Sequence, residues 1–417
     1  MNSIHVKGTG LLEGEVSVQG SKNAVLPILA STILLNGVCI LRNCPRISDV
    51  DCMLGLLRSL GCKAGWDKES LIIDTSPICE SRLPGELVTC MRSSVMLMGP
   101  LLAICKKTTM NYPGGCVIGE RPIDIHLHVL EKLGALFSVE KDSVKGKAPV
   151  LRGSHIKLRF PSVGATENGI MAAVLAQGTT VLQNYAKEPE IRQLCEFLNK
   201  AGARIYGFGK SELVIEGVNK LNPITYSIEP DRIVAGTYLF SVAATGGRVY
   251  LRNAPYKDMD VVFNVARQMG CEVDKTPGGI LVKREAELYP LPYIETMVYP
   301  GFPTDLQSVL VTALTVAGGE SVVEESIFSD RFKIAHELNR MGADITVKGN
   351  RAYIRGVKQL HGRNVVASDL RGGAALVLAG IMAKGDTIIR NRHFIERGYE
   401  DICRDYGLLG ACAVSIG

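Results

Sequence analysis

The 417-residue sequence lacks any stretch able to cross a membrane as a helix. A spanning helix needs about 20 consecutive apolar residues. The longest run here, AVLPILASTILL at 24–35, is shorter and contains Pro27. It ends at Asn36-Gly37, a pair that favours a turn. The run is therefore expected to form a buried helix, and no membrane span is expected.

The spacing of cysteines typical of zinc sites, redox pairs or disulfide frameworks is also missing. The chain has 12 cysteines but no CxxC pair. Its first residues, MNSIHVKGTG, are typical of a polar strand rather than of a signal peptide. These features favour a reducing, cytoplasmic compartment. HExxH and carboxylate clusters at metal-ligand spacing are absent as well, so no metal is expected.

Two common phosphate-binding patterns are missing too, the GxxxxGK[ST] loop and the strand–GxGxxG–helix unit. The segment GGCVIG at 114–119 has glycines, but their spacing differs and no lysine follows. The formal net charge of +5 is small. It is compatible with an anionic small substrate and with nucleic acid, so charge alone does not decide between them.

What the sequence does contain is an internal repeat. A helix end of the form L-x-x-x-G-[AC], with small variations, occurs six times at intervals of 68–73 residues, as LRSLGC, LEKLGA, LNKAGA, ARQMGC, LNRMGA and YGLLGA. An apolar helix and a strand precede most copies, and an alternating run typical of a hairpin follows. The pattern predicts six helix–strand–helix–strand–strand units.

The first helix of each unit is apolar nearly all round, so it must be covered on every side. This predicts an α/β fold in which helices lie inside and sheets form much of the outer wall. Six units divide most simply into two similar domains of three, with a cleft between them. The boundary is expected near Glu229-Pro230-Asp231.

Charged residues collect where these helices are expected to begin. Helix N-termini carry unpaired N–H groups and a partial positive charge, so several in one cleft would bind a phosphate or a carboxylate. The alternative is that such residues only cap helices. The residues concerned are Lys22, Arg46, Arg92, Arg121, Asp231, Arg232, Asp305, Asp330, Arg331, Asp369, Arg371, Glu396 and Arg397.

Cys116 stands out among the cysteines because it follows the tight turn Pro113-Gly114-Gly115. Arg121 lies five residues later, and Pro122 suits the first position of the next helix. A nearby cation and a helix N-terminus both favour the thiolate. We therefore expect a reactive thiol at Cys116, the alternative being an inert buried side chain.

Longer motifs match one family from Lys22 to Tyr399. They are GSKNAVLPILASTILL (20–35), RSSVMLMGPLLA (92–103), PGGCVIGERPID (113–124), PSVGATEN (161–168), FPTDLQ (302–307), DLRGGAALVLAG (369–380) and ERGYE (396–400). With these motifs the chain resembles the UDP-N-acetylglucosamine 1-carboxyvinyltransferases, a family of enolpyruvyl transferases. The resemblance implies an α/β fold of two inside-out, barrel-like domains, each with three βαβαββ repeats around buried helices. It also implies that 22–229 is inserted into a discontinuous domain of 1–21 and 230–417, with the active site in the cleft.

The resemblance further implies a reaction. The enolpyruvyl group of phosphoenolpyruvate would pass to the 3′-hydroxyl of UDP-N-acetylglucosamine by addition and elimination, with release of phosphate. This is the first committed step of peptidoglycan precursor synthesis, and it serves cell-wall biogenesis, cell shape and cell division. The expected partners are these two small molecules and the inhibitor fosfomycin, without nucleic acid, metal or organic cofactor.

Residue roles follow from the same resemblance. Cys116 would donate the proton to C3 and could also add covalently to phosphoenolpyruvate, whereas Asp305 would be the general base. Lys22, Arg121 and Arg397 would grip phosphoenolpyruvate. The remaining matches are Asn23, steadying the intermediate, and Arg371, assisting through Asp369.

The nucleotide sugar would contact a further set of residues, namely Arg92, Arg121, Pro122, Ile123, Asp124, Ile125, Ser162, Val163, Gly164, Asp305 and Ile327. The sequence also departs from the family pattern at a few places. Ser329 stands where an acidic residue is common, His393-Phe394 where Tyr-His is expected, and Glu120 where a small residue is frequent. These departures concern closure of the site rather than the residues assigned to bond making.

Two other functions were compared with this one. A 3-phosphoshikimate 1-carboxyvinyltransferase shares the fold and phosphoenolpyruvate, but it has no cysteine on a PGGC loop. A ring-shaped DNA clamp is also built from six repeats, but its helices need a basic face towards DNA. The apolar helices of this sequence have no such face.

Overall fold

The computed structural model describes residues 2–114, 118–119 and 122–417. In this part of the chain the α-helices are α1 Lys22–Ser31, α2 Ser48–Ser59, α3 Gly85–Cys90, α4 Met98–Cys105, α5 Asp124–Lys132, α6 Val163–Ala173, α7 Pro189–Lys200, α8 Arg232–Thr245, α9 Asp260–Gln268, α10 Gln307–Leu314, α11 Ile334–Arg340, α12 Leu370–Met382 and α13 Ile402–Leu408. Short 3₁₀ turns lie at Thr32–Leu35, Arg92–Leu97, Tyr256–Asp258, Thr304–Leu306 and Arg392–Arg397. None of these helices combines the length and the apolar character that crossing a bilayer requires.

The strands of the described residues are short, and each is three to six residues long. They are β1 Ser3–Lys7, β2 Leu12–Ser17, β3 Val38–Arg42, β4 Lys63–Asp67, β5 Ser70–Asp74, β6 Lys107–Asn111, β7 Leu136–Val139, β8 Ser143–Lys147, β9 His155–Lys157, β10 Thr179–Gln183, β11 Arg204–Tyr206, β12 Glu212–Glu216, β13 Thr225–Ser227, β14 Gly247–Arg252, β15 Glu272–Thr276, β16 Gly279–Arg284, β17 Ile294–Thr296, β18 Glu320–Glu325, β19 Asp344–Lys348, β20 Arg351–Arg355, β21 Asn364–Val366, β22 Asp386–Arg390 and β23 Cys412–Ile416.

The described residues divide into two compact units. The N-terminal unit contains 20–114 and 122–229, and the C-terminal unit contains 2–19, 118–119 and 230–417. The sheets of the N-terminal unit have the strand orders β13-β3-β5-β4, β6-β8-β7 and β11-β12-β10-β9. Those of the C-terminal unit have the orders β15-β16-β14-β2, β17-β18-β20-β19 and β21-β22-β1-β23. Each unit thus contains three sheets among the described residues.

The five four-stranded sheets of the described residues share one pairing pattern, and the three-stranded sheet β6-β8-β7 has its antiparallel part alone. In the β17-β18-β20-β19 sheet, β18 and β20 are antiparallel, β20 and β19 are antiparallel, and β17 runs parallel to β18. In the sheet nearest the C-terminus, β1 lies between β22 and β23 and is antiparallel to both. The next strand, β2, runs parallel to β14. The first residues of the chain therefore complete two sheets of the C-terminal unit.

The repeated glycine ends a helix in every copy of the unit. All six of these residues have φ between 84° and 105°, namely Gly61, Gly134, Gly202, Gly270, Gly342 and Gly410. A side chain is strained in this left-handed region, and glycine is the usual residue there just after a helix. The repeat inferred from the sequence is thus confirmed as a recurring helix C-terminus.

The apolar helices are buried all round, as predicted. Every residue from Ile233 to Ala244 of α8 is buried, and so is every residue of α10 and every residue from Leu370 to Ile381 of α12. In the C-terminal unit α10 packs against both α8 and α12, whereas α4 packs against α6 in the N-terminal unit. The chain has a mixed α/β fold in which such helices supply much of the core.

Two helix starts differ from the prediction. Pro122 does not occupy the first helical position, because α5 begins at Asp124 with Ile123 as its N-cap. Glu396 and Arg397 do not open the last helix but end the 3₁₀ turn Arg392–Arg397. The helix begins later because the side chain of Asp401 accepts a hydrogen bond from the Arg404 backbone N–H at 2.8 Å, which makes Asp401 the N-cap.

Candidate functional site

Asp305 lies in the C-terminal unit, in the 3₁₀ turn Thr304–Leu306 that leads into α10. Arg331 Nη2 donates to its Oδ1 at 2.7 Å, and Arg371 Nη2 donates to its Oδ2 at 3.2 Å. Both arginines are almost fully buried, whereas 27% of the Asp305 side chain is exposed. Charge-assisted bonds of this kind are stronger than neutral ones. The two arginines therefore hold the carboxylate in one orientation while leaving it partly accessible.

The two arginines keep unused donors. Among the described residues, Arg371 Nη1 and Arg331 Nε are buried without a hydrogen-bond partner. Burial alone would lower the pKa of Arg371, but the interactions with Asp305, Tyr399 and Asp231 outweigh it and the pKa is raised. Arg371 is therefore a cation at neutral pH. Buried cationic donors that lack partners fit an anionic ligand beside Asp305.

Tyr399 supports Arg371 from the other side. Its hydroxyl lies 2.8 Å from Thr237 Oγ1 of α8, and the guanidinium of Arg371 lies 5.9 Å from its ring centroid. Burial raises the pKa of Tyr399, although the charge of Arg371 opposes the rise. The phenol is therefore neutral at physiological pH and serves as a fixed polar contact.

The other two aspartates at buried helix starts of this unit are caps. Asp369 Oδ1 accepts from the N–H groups of Arg371 and Gly372, each at 3.0 Å. Asp231 Oδ1 accepts from the first turn of α8, at 2.7 Å from Ile233 and 3.2 Å from Val234. For these two residues the capping interpretation that the sequence left open is confirmed. Asp305 differs because two arginine side chains bond its carboxylate.

Three further predicted positions lie in the C-terminal unit. Arg397 is the last residue of the 3₁₀ turn Arg392–Arg397 and is partly buried. The Ile327 backbone N–H donates to Glu325 Oε1 at 2.9 Å. Phe394 packs partly buried against the core, with its ring centroid 4.3 Å from that of His393.

In the N-terminal unit, Lys22 and Asn23 begin α1, which Ser21 caps. Lys22 Nζ lies 3.0 Å from Asp49 Oδ2, and only 12% and 4% of these two side chains are exposed. Asp49 belongs to the first turn of α2. The ion pair with this buried carboxylate holds the ammonium group of Lys22 in place at the start of α1.

Ser162, Val163 and Gly164 form the start of α6. Ser162 Oγ accepts from the Ala165 N–H at 3.4 Å. A Cβ on Gly164 would lie 2.8 Å from His126 Cε1, so a side chain does not fit there. His126 is buried with Nδ1 2.8 Å from Asn168 Nδ2, which indicates a structural role rather than a ligand-facing one.

The remaining described residues that were assigned to the nucleotide sugar in this unit are Arg92 and those at the start of α5. Arg92 begins the 3₁₀ turn Arg92–Leu97 and is partly exposed. Asp124 forms an ion pair with Arg159 on the surface, and it is preceded by exposed Pro122 and buried Ile123 and followed by partly buried Ile125. Cys116, Glu120 and Arg121 lie outside the described residues.

The sequence does not predict two of the ion pairs described above, Arg331 with Asp305 and Asp49 with Lys22. Arg331 was noted only as a residue near a helix start, although it bonds Asp305, and Asp49 was not singled out at all. The signal for Arg331 was present, because it stands at the repeated position where charges collect. Among the described residues, no group of three or more His, Cys, Asp or Glu side chains is arranged to hold a metal ion.

Comparison with known proteins identifies the family. The chain is 46% identical over 416 residues to UDP-N-acetylglucosamine 1-carboxyvinyltransferase 2 of Caldanaerobacter subterraneus subsp. tengcongensis, covering 100% of both chains. It is 43% identical to the UDP-N-acetylglucosamine 1-carboxyvinyltransferase of Solidesulfovibrio magneticus, covering 96% of both. The chain belongs to this family. It is thus a transferase.

More distant comparisons agree with this family at the level of fold. The family model described as EPSP synthase (3-phosphoshikimate 1-carboxyvinyltransferase) matches residues 6–405. The crystal structure of the enolpyruvyl transferase NikO from Streptomyces tendae superposes with a TM-score of 0.89 at 24% identity, covering 99% of this chain and 98% of that one. EPSP synthase from Acinetobacter baumannii gives 0.78 at 18% identity over 100% of both chains. At these identities the structures establish the fold alone.

Proposed function

We propose that this protein transfers the enolpyruvyl group of phosphoenolpyruvate to the 3′-hydroxyl of UDP-N-acetylglucosamine and releases phosphate. The observation that carries the proposal is the full-length identity of 46% to a relative of that name. The Asp305 cluster supports it, because it combines an oriented, partly accessible carboxylate with buried cations that have donors to spare. The product serves peptidoglycan precursor synthesis in the cytoplasm, and so cell-wall biogenesis and division.

The chemistry is addition followed by elimination. Asp305 accepts the proton of the sugar hydroxyl as the hydroxyl oxygen forms a bond to C2 of phosphoenolpyruvate. At the same time Cys116 donates a proton to C3. In the second step a basic group of the site takes a proton from C3, the C–H electron pair forms the C2–C3 double bond, and phosphate leaves from C2 with the electrons of the C2–O bond. Lys22, Arg121 and Arg397 neutralise the phosphate and carboxylate throughout. Asn23 steadies the tetrahedral intermediate, and Arg371, whose N–H is capped by Asp369, assists beside Asp305.

The nucleotide sugar is proposed to lie along the residues that the family resemblance assigns. They are Arg92, Arg121, Pro122, Ile123, Asp124, Ile125, Ser162, Val163, Gly164, Asp305 and Ile327. The backbone N–H groups at the start of α6 suit a negatively charged diphosphate. Fosfomycin, an anionic phosphonate epoxide, is proposed to alkylate Cys116.

The domain arrangement is proposed on the same basis. Residues 22–229 form one inside-out, barrel-like α/β domain, and residues 1–21 with 230–417 form the other, each with three βαβαββ repeats. The active site lies in the cleft between the two domains, which close on the nucleotide sugar. Small-angle scattering with saturating UDP-N-acetylglucosamine should show a smaller radius of gyration than without it, and an unchanged radius would count against closure.

The decisive experiment measures phosphate release from phosphoenolpyruvate with two acceptors. Release with UDP-N-acetylglucosamine and none with shikimate 3-phosphate is the expected result. Release with shikimate 3-phosphate alone would instead establish the alternative, a 3-phosphoshikimate 1-carboxyvinyltransferase, whose family model also matches the chain.

A further inference from the structure

Glu325, the last residue of β18, is a buried carboxylate with 3% of its surface exposed. Its Oε1 accepts from the backbone N–H groups of Ile327 at 2.9 Å and Phe328 at 3.1 Å. Its Oε2 accepts from Thr304 Oγ1 at 2.8 Å. One side chain therefore ties together two separate segments, the loop 326–328 and the turn Thr304–Leu306.

Arg331 holds the same turn from another direction. Its Nη2 donates to the Thr304 carbonyl at 3.2 Å as well as to Asp305 Oδ1 at 2.7 Å. Thr304 is thus bonded through its hydroxyl by Glu325 and through its carbonyl by Arg331. Three side chains therefore hold the turn that carries Asp305, namely those of Glu325, Arg331 and Arg371. Of these three, Glu325 also contacts Ile327.

We propose that Glu325 is a positioning residue that couples the nucleotide-sugar contact at Ile327 to the orientation of the Asp305 carboxylate. The inference rests on the proposed function, and it adds a residue that acts through others. A general base contributes fully only when it is aligned with the proton it removes. Three groups donate hydrogen bonds to the one buried carboxyl group of Glu325, and together these bonds maintain such an alignment.

The neighbouring residue Glu324 offers a matched control. It is the same residue type on the same strand, and it also accepts from three donors, Tyr293 Oη at 2.9 Å, Arg351 Nε at 2.7 Å and Asn350 Nδ2 at 3.0 Å. None of these three partners belongs to the Asp305 turn or to the loop 326–328. Comparing alanine variants of the two glutamates thus distinguishes the loss of a positioning contact from the loss of any glutamate at the end of β18.

The test compares kcat and the KM for UDP-N-acetylglucosamine in four variants. Glu325→Ala should lower kcat about 10- to 100-fold and raise KM, because both segments lose their anchor. Thr304→Val should lower kcat and leave KM nearly unchanged, because the Ile327 contact survives. Glu325→Gln should have a kcat and a KM close to those of the wild type. Its amide oxygen accepts from the two N–H groups, and its amide nitrogen donates to the Thr304 hydroxyl. Glu324→Ala should change neither constant.

A second readout does not depend on turnover. In Glu325→Ala, hydrogen exchange at the Ile327 and Phe328 amides should become faster, whereas in Glu324→Ala it should match the wild type. Equal kinetics and equal exchange in the two alanine variants would overturn the inference and leave the proposed function standing. If Glu325→Ala does not accumulate as folded protein, unchanged kcat in Thr304→Val overturns it instead. A wild type inactive with UDP-N-acetylglucosamine refutes the proposed function and with it this coupling.

Discussion

The two units differ in how their buried helices begin. In the C-terminal unit an aspartate stands at the start of each such helix, namely Asp231, Asp305 and Asp369. In the N-terminal unit, serines cap α1 and α6, and the 3₁₀ turn before α4 begins at an arginine; these residues are Ser21, Ser162 and Arg92. One unit therefore places a carboxylate at the start of each of these buried helices, whereas the other uses neutral serine caps at two of them and an arginine at the third.

This difference suggests a division of labour. Neutral serine caps leave the partial positive charge of the helix start available, and the ammonium group of Lys22 lies beside it in an ion pair with Asp49. In the C-terminal unit the carboxylates are partnered, two by helix N–H groups and Asp305 by Arg331 and Arg371. We infer that the N-terminal unit mainly binds anions, whereas the C-terminal unit presents an oriented proton acceptor.

The largest expected effect tests whether the proton acceptor Asp305 works together with a separate proton donor, Cys116. Cys116→Ala should abolish turnover, because no other group is assigned to protonate C3, and it should also abolish the reaction with fosfomycin. Cys116→Asp should keep a proton donor and therefore activity, while losing the fosfomycin reaction. Turnover assays and mass spectrometry of the fosfomycin adduct check both.

The control for Cys116 is the chain's other cysteines. Burial raises the pKa of Cys39, Cys195 and Cys271, so these thiols should be slow to react. Cys79, Cys90 and Cys412 are exposed and are the realistic competitors for an alkylating agent. An adduct on any of these three, or full turnover in the alanine variant, would contradict the assignment.

The next effect concerns the aspartate that two arginines hold. Asp305→Asn keeps a similar shape but cannot accept the hydroxyl proton, so kcat should fall by about two to four orders of magnitude. Binding of UDP-N-acetylglucosamine, measured by calorimetry, should change far less. Asp231→Asn is the matched control, because asparagine caps a helix as well as aspartate does. Equal kcat values in the two variants would make Asp305 a structural residue only.

The sequence predicted what is local and periodic. The six glycines with positive φ and the buried apolar helices both follow from patterns within a few residues. Partners distant in sequence could not be found this way. Nothing in the sequence near Lys22 points to Asp49, and nothing near Thr304 points to Glu325, since those pairs exist only once sheets and helices have packed. The charged pair Glu396-Arg397 predicts a start of α13 that is too early, because the side chain of Asp401 caps the helix instead.

A moderate effect is expected at the start of α6 in the N-terminal unit. In Gly164→Ala the new Cβ would lie 2.8 Å from His126 Cε1, and His126 is held by Asn168. Such overpacking costs about 1–3 kcal/mol of stability, and displacement of the helix start should weaken UDP-N-acetylglucosamine binding. Gly65→Ala in β4 is the control, because nothing lies within 4 Å of its Cβ. Equal binding and equal melting temperatures in both variants would refute a tight fit at Gly164.

The smallest expected effect concerns the pH dependence of stability. It compares a buried glutamate of the N-terminal unit, Glu167, with a hydrogen-bonded glutamate of the C-terminal unit, Glu324. Glu167 in α6 is fully buried, and neither of its carboxylate oxygens has a hydrogen-bond partner among the described residues. Burial, with smaller contributions from Glu190 and Glu188, raises its pKa well above the ordinary value of 4.5. Glu324 in the C-terminal unit is the opposite case, because hydrogen bonds from Tyr293 and Arg351 lower its pKa.

These shifts predict opposite dependences on pH. Above pH 4.5 the unfolded chain loses the Glu167 proton while the folded chain retains it, so stability should fall as pH rises towards the folded-state pKa. Glu167→Gln cannot ionise, so the difference between its melting temperature and that of the wild type should shift in favour of the variant as the pH rises above 4.5. Glu324 contributes stability above pH 4.5 and loses it as pH falls through its lowered pKa. Glu324→Gln should therefore fall below the wild type at neutral pH and approach it in acid. A difference from the wild type that stays constant with pH in either variant would show that the glutamate does not titrate as its surroundings require.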